Sequence, residues 1–427
     1  MEAIHYGFAK KLKVNEDRIT SLPYNVKQMI LDHLSLKESI STSFLSRDWR
    51  YIWRIRSKFF LDDETFSDII NAVNHVLSVH RGEIHTFFAI RNGNIFVAEE
   101  EEDDNLFVDI TSGGINSWID CLAKAHVQNL KLRFQTENPL IISSALFRCE
   151  RLITLDLTYM ELALPRSSIE LRSLTNINFK FLKISSSDLE RLIKSCPLLN
   201  NLNLYYILCE NLNIHSPNLK YLKLFGYHSC LNLNETPMIT DASISTTFYF
   251  NPLNSNDHCD FTNVLHNLIE VKALNLNSHA IEHLKLSIGI KFNNMEKLNV
   301  ILSLERKKHI ETIISILQCS PVLDCFHVQS WVKEIDYFQE SEQFWNVFVD
   351  FKLNRLKNLS ICKVRMVPQE LRFIEFVLRN APLLENFHTN LFHPSDTDDR
   401  FYKELIMPYP KASPRIKFCF KCSHMFQ

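Results

Sequence analysis

The chain has 427 residues, of which 46% are hydrophobic and 22% are charged, a composition typical of folded globular proteins. With a formal net charge of −2, the chain lacks the broad positive field that favours nucleic acid binding. No apolar run has the length of a signal-peptide core or of a membrane span. The 7 Gly are too few for a typical phosphate loop, and the 11 Cys fit free thiols in a reducing compartment. We therefore expect a protein of the cytoplasm and/or nucleus with no cofactor, no nucleic acid partner and no membrane partner.

Residues 17–60 are predicted to form a small module of three short helices. Pro23 suits the first turn of a helix, the Ser35–Leu36 step separates a second helix, and Trp49 and Trp53 lie on a third. A unit of this size carries more apolar surface than it can bury by itself. The module is therefore expected to dock onto another protein.

Beyond residue 100, a short pattern recurs in which apolar residues occupy the first, fourth and sixth positions. Its copies start at Val127, Leu152, Leu174, Leu199, Leu219, Val271, Met295, Leu323, Leu356 and Leu384, with a degenerate copy at Ile239. Most starts are about 20 to 33 residues apart, around the leucine-rich-repeat period. Amphipathic segments such as 310–317 fit between the copies, and Pro197, Pro321 and Pro382 stop helices just before the next strand. The pattern predicts an α/β solenoid, the alternative being an ordinary α/β domain whose leucines mimic a repeat.

One feature departs from the regular repeat. Its ninth position is normally Asn or Cys, but three consecutive copies have Met160, Leu182 and Ile207 there. We therefore expect an irregular, loosely curved horseshoe with a parallel sheet and convex helices.

Two further motifs carry clustered polar side chains. His279, Glu282 and His283 spell HxxEH, which on a helix would present two imidazoles and a carboxylate to zinc. A solvent-facing helix of the array explains the motif with fewer assumptions than a zinc site does. We therefore predict no metal site and no catalytic residues. The acidic run 99–104 is predicted to be a mobile loop tip.

The N-terminal module carries a known family pattern. Its elements are Leu22-Pro23, Ile30-Leu31, Leu34-Ser35-Leu36 and a Ser46-x-x-Trp49-x-x-x-Trp53 ending. On these residues the module resembles the F-box, with a departure at Tyr24-Asn25, where many members have an acidic pair.

The C-terminal part is similar to the FBD domain of plant F-box proteins. The matching features are Glu370-Leu371 opening a helix, residues 381–385 closing it, and residues 412–415 before a final strand. Together the resemblances imply a flexible N-terminus at 1–15, an F-box at 16–60, a leucine-rich-repeat solenoid at 61–345 and an FBD-like unit at 346–427. The last unit would cap the open end of the solenoid.

The resemblance implies a non-catalytic substrate receptor of an SCF-type cullin-RING ubiquitin ligase. The F-box would bind a Skp-family adaptor and, through it, the cullin. The residues expected to contact the adaptor are Leu22, Pro23, Val26, Ile30, Leu31, Leu34, Leu36 and Ile40. Trp49 and Trp53 are expected to hold the module together and dock it to the first repeat, though adaptor contact is an open alternative.

The solenoid would bind an unknown protein substrate. Because alternate residues of a strand face opposite sides, the positions between the buried leucines should line the concave face. One such column comprises Asp156, Asn178, Asn203, Lys223, Asn275, Asn299 and His327. Two other functions stay open at this point: a ligase-independent binding scaffold, and a zinc hydrolase using the HxxEH stretch.

Overall fold

The boundaries of the N-terminal helices follow from local capping. Helix α1 (Tyr24–Asp32) begins directly after Pro23, and Ser21 does not cap it. Helix α2 (Leu36–Ser41) begins with a capping box, in which the backbone N–H of Glu38 donates to Ser35 Oγ and the backbone N–H of Ser35 donates to the Glu38 carboxylate. The predicted third helix is only a turn followed by a short 3₁₀ segment, Ile52–Ile55.

A computed structural model gives the structure of the protein at residues 18–91, 110–136, 138–167, 169, 171–207, 209, 211–226, 228, 230–246, 264–284, 290–331, 344–345, 351–392 and 403–420. The N-terminal segment 1–15 and the acidic run 99–104 lie outside these residues. Within them, no helix is both long and apolar enough to cross a membrane.

Fourteen of the described strands pair in parallel in one sheet. In spatial order they are β1 (Lys58–Asp62), β2 (Thr86–Arg91), β3 (Asn129–Phe134), β5 (Thr154–Thr158), β7 (Asn176–Lys180), β8 (Asn201–Tyr205), β10 (Tyr221–Gly226), β12 (Asp241–Thr246), β13 (Ala273–Asn277), β14 (Lys297–Leu302), β15 (Cys325–Ser330), β16 (Asn358–Val364), β17 (Asn386–Leu391) and β18 (Lys417–Cys419). Two small parallel pairs lie outside it: β4 (Leu140–Ile142) with β6 (Met160–Leu162), and β9 (Asn211–Asn213) with β11 (Cys230–Asn232). Since the spatial order follows the chain, each unit stacks on the one before it.

The remaining helices connect these strands. They are α3 (Ile69–Val79), α4 (Ser112–Lys124), α5 (Ser186–Lys194), α6 (Val264–Asn267), α7 (Ser278–His283), α8 (Lys307–Gln318) and α9 (Pro368–Asn380). Helices α5, α8 and α9 end two or three residues before Pro197, Pro321 and Pro382, as predicted. The α/β solenoid is therefore confirmed.

Every copy of the apolar pattern forms part of the sheet. The fourth and sixth positions of each copy are buried within a strand, including Ala242 and Ile244 of the degenerate copy in β12. Strands β1 and β2 were not predicted, and β1 begins inside the expected F-box range. In β2 the apolar pattern consists of Ile84, Phe87 and Ala89, which is a weak match because its last residue is small. In β1 a buried Arg56 occupies the first, normally apolar position, so the copy is not recognisable from the sequence.

One continuous apolar core joins the N-terminal module to the solenoid. It includes Leu36 and Trp53 of the module and runs through all the repeats to Ile406. Strands β16 to β18 continue the same sheet, and helix α9 connects β16 to β17, so the C-terminal part extends the array. The boundary expected at residue 346 lies outside the described residues and stays a prediction.

Candidate protein-interaction surfaces

The N-terminal module is fixed to the sheet by buried polar bonds. Arg56 is 2% exposed, and its two Nη atoms donate to Ser39 Oγ at 2.8 Å and to the carbonyl oxygen of Leu34 at 2.6 Å. Burial lowers the pKa of Arg56, opposed by the negative charge of Asp32. That carboxylate accepts from both the backbone N–H and the hydroxyl of Ser57, at 3.0 and 2.6 Å. These bonds orient the module relative to the first strand.

The two tryptophans have structural positions. Trp53 is 6% exposed, belongs to the continuous core and stacks on His75 of α3 with ring centroids 6.2 Å apart. Trp49 is 1% exposed, with the ammonium of Lys27 lying 5.7 Å from its ring centroid. Both therefore pack within the module or against the first repeats, and neither presents its ring to a partner in this conformation.

The residues predicted to contact an adaptor divide into three groups. Pro23, Ile30 and Ile40 are exposed. Leu22, Val26 and Leu34 are half-buried. Leu31 and Leu36 are 0% and 4% exposed, so in this conformation both pack in the interior, and their contact with an adaptor stays a prediction. Helical spacing marks apolar residues without saying which side faces inward.

The structure adds four apolar residues to the outer surface of the module. Tyr24, Met29 and Leu45 are about 60% exposed, and Phe44 is 91% exposed. None of the four was among the residues predicted to contact an adaptor, although Phe44 follows Ile40 by one helical turn. The available signal was the excess of apolar residues in a segment too short to bury them.

The residues predicted to bind substrate lie in a single row. Parallel pairing places Asp156 beside Asn178, Asn203 beside Lys223, and Asn299 beside His327. Ser243 of the degenerate repeat fills the gap between Lys223 and Asn275. We call the side of the sheet that carries this row the open face, because its residues are half-exposed or exposed while their strand neighbours are buried.

Hydrogen bonds connect several members of this row. Asp156 accepts from Asn178 Nδ2 at 2.8 Å and pairs with the Lys131 ammonium at 3.3 Å. Farther along, Asn299 Nδ2 donates to Asn275 Oδ1 at 2.6 Å. Burial lowers the pKa of His327, which favours its neutral form. The row is therefore a pre-ordered polar surface, and its role in binding substrate stays a prediction.

The HxxEH stretch lies on α7, but its carboxylate is already engaged. Glu282 Oε1 accepts from His309 Nε2 at 3.2 Å and pairs with Arg306. The hydrogen bond with His309 and the nearby positive charges, working against burial, lower the pKa of Glu282 to about 2. Such a carboxylate is a weak general base at neutral pH. Among the described residues, no three His, Cys, Asp or Glu side chains lie together in a way that could hold a metal ion.

Comparison with known proteins matches both regions. The F-box domain family matches residues 19–61, and the family described as "FBD-associated F-box protein At5g56370, LRR repeats" matches residues 115–328. The second match covers half of the chain. The chain belongs to the plant F-box/FBD/leucine-rich-repeat family.

Similar members of this family come from Arabidopsis thaliana. The F-box/FBD/LRR-repeat protein At1g13570 is 26% identical over 95% of this chain and 98% of its own length. The FBD-associated F-box protein At5g38590 is 23% identical over 92% of this chain and 99% of its own length. The F-box/LRR-repeat protein At3g26922 is 26% identical over 54% of this chain and 83% of its own length. The family expected from the sequence is thereby confirmed, and the domain boundaries expected within the chain stay predictions.

Proposed function

We propose that this F-box protein is the substrate-recognition subunit of an SCF-type cullin-RING ubiquitin ligase and that it makes or breaks no covalent bond itself. The observation that carries the proposal is a small module with surplus apolar surface, held rigidly at one end of a solenoid with an ordered polar face. Such an arrangement keeps two binding surfaces at a fixed separation. It would raise the effective concentration of a substrate lysine near a ubiquitin-conjugating enzyme.

Of the residues predicted to contact the adaptor, the accessible ones are Leu22, Pro23, Val26, Ile30, Leu34 and Ile40, and Phe44 is added from the structure. These side chains are half-buried or exposed, so a Skp-family adaptor can cover them without unfolding the module. Covering apolar surface is the main favourable term in association. The substrate surface is the polar row on the open face.

The test is adaptor binding by the double variant Leu22→Ala, Pro23→Ala. We expect it to abolish binding to a purified Skp-family adaptor while the solenoid keeps its circular dichroism spectrum. Tyr51→Ala is the control, because Tyr51 is an exposed apolar residue of the same module outside the proposed surface, with the Arg54 guanidinium carbon 4.4 Å from its ring centroid. Unchanged adaptor binding by the double variant would contradict the assignment of these residues to the adaptor surface, whereas a wild-type chain that does not bind the adaptor would leave a ligase-independent scaffold as the better account.

A further inference from the structure

A file of stacked aromatic rings lies at the carboxyl edge of the open face. Tyr159, Phe181 and Tyr206 each follow directly after a strand of the sheet, with ring centroids 4.9 and 4.7 Å apart and ring planes 10° from parallel. Phe225 meets Tyr206 edge-on at 4.8 Å. We call these four residues the aromatic file. Its length matches about four residues of extended peptide at about 3.3 Å each.

The backbone of the file is strained. Tyr159, Phe181 and Tyr206 have φ values of +61°, +50° and +53°, a region that bulky side chains rarely adopt. The next repeat has Gly226 at the matching position, where an added side chain would meet the Tyr206 backbone at 3.3 Å. Three consecutive repeats therefore keep an unfavourable conformation that directs an aromatic ring outward. Strain of this kind concentrates at binding sites.

Stacking determines which part of each ring a partner can reach. Both faces of Phe181 are covered by its neighbours, so its 40% exposure lies at the ring edge. The edge of an aromatic ring carries partial positive charge, whereas its face carries partial negative charge. The file is therefore suited to carboxylate and carbonyl oxygens and unsuited to a cation, which needs an open face.

Two unpaired cations flank the file. Arg133 and Lys180 lie in one register row of the open face with Thr158 between them, and Lys180 Nζ is 5.4 Å from the ring centroid of Tyr205. Among the described residues neither has a carboxylate partner. The nearby carboxylates are already neutralised, Asp156 by Lys131 at 3.3 Å and Glu161 by Lys183 at 2.8 Å. The local charge is thus positive and complements an acidic ligand.

We propose that the aromatic file, together with Arg133 and Lys180, binds an extended acidic segment of the protein substrate in which acidic and apolar residues alternate. The inference rests on the proposed function, since it names the substrate chemistry of the same open face. Carboxylates would pair with the two cations, carbonyl oxygens of the segment would meet the ring edges, and the alternate apolar side chains would cover the exposed apolar surface beside the rings. Charge-assisted hydrogen bonds would supply the specificity.

The test uses the full chain and fluorescein-labelled octapeptides of alternating Asp and Leu, Asn and Leu, or Lys and Leu. We expect the Asp peptide to bind at least tenfold more tightly than the Asn peptide. The double variant Arg133→Gln, Lys180→Gln should remove that preference, and Phe181→Ala should weaken binding of both peptides. Lys297→Gln, which removes an exposed cation from β14 on the same face, is the control and should bind as the wild type does.

Adaptor binding measured in the same samples separates this inference from the proposed function. Equal affinity for the Asp and Asn peptides, or no binding of the Asp peptide at millimolar concentration while adaptor binding is normal, overturns the inference alone. Peptide binding that follows the expected pattern in a chain that never binds the adaptor supports the inference and contradicts the proposed ligase role. Because Arg133 and Lys180 lie outside the buried core, the double variant should keep its fold, and normal adaptor binding in the same sample separates a loss of charge preference from misfolding.

Discussion

Phe44→Ala gives the sharpest test of the adaptor-binding surface. The side chain is 91% exposed in the isolated chain, so binding can remove nearly all of it from water. A phenylalanine buries about 150–200 Å² in an interface, and truncation to Ala removes about 100–130 Å² of that. At about 25 cal/mol per Å², the expected loss is about 3 kcal/mol of binding free energy, which corresponds to roughly a hundredfold rise in Kd.

The same exposure predicts that Phe44→Ala leaves the fold unchanged. Exposed substitutions away from caps and buried networks usually change the free energy of unfolding by less than about 0.5 kcal/mol. Leu31→Ala is the contrasting variant, since Leu31 is fully buried and its truncation should destabilise the module by about 2–4 kcal/mol.

Binding to an immobilised Skp-family adaptor by biolayer interferometry, with hydrogen exchange of residues 24–55 as the folding control, measures both effects. A Phe44→Ala chain that exchanges normally and binds within a factor of three of the wild type would refute the reasoning. It would place the adaptor on another part of the module.

Two further predictions concern stability. Arg56→Met should leave the hydroxyl of Ser39 and the carbonyl of Leu34 without their buried donor. The free energy of unfolding should fall by about 2–4 kcal/mol, and hydrogen exchange should become faster across residues 31–57. Unchanged exchange would mean that the module is held by apolar packing alone. Glu282→Gln should lower the free energy of unfolding by about 1–2 kcal/mol at pH 7, because the hydrogen bond with His309 and the charges of His309 and Arg306 hold the pKa of Glu282 at about 2 and partial exposure of the site reduces the gain. A lowered pKa stabilises the fold above the ordinary glutamate value near 4.5, so the difference between variant and wild type in hydrogen exchange of α7 and α8 should shrink as pH falls from there toward 2. A difference that does not depend on pH would contradict the electrostatic origin.

The sequence predicts the solenoid well because its signal is repeated. Each copy places the same apolar positions on the buried side of a strand, so even the weak copy at Ile239 could be placed by its spacing. The row from Asp156 to His327 could be aligned for the same reason, since equal spacing within each copy fixes the register between neighbouring strands.

The first two strands and the sidedness of the F-box were harder to predict. Arg56 takes an apolar position of the first copy because its guanidinium bonds into the module, and such a three-dimensional partner leaves no sequence signal. Ile30 and Leu31 are adjacent in the family pattern, yet Ile30 is exposed and Leu31 is buried, and only packing decides which of the two faces inward. The aromatic file depends on positive φ values after the strands, which no periodicity reveals.

The central claim is that the module connects this solenoid to a ligase. The most direct measurement is light scattering during size-exclusion chromatography of the wild-type full chain mixed with a purified Skp-family adaptor bound to the cullin N-terminal region. The account predicts one 1:1:1 complex with a Kd below about 1 μM, equivalent to roughly −8 kcal/mol. Separate elution of the chain at tens of micromolar would contradict it.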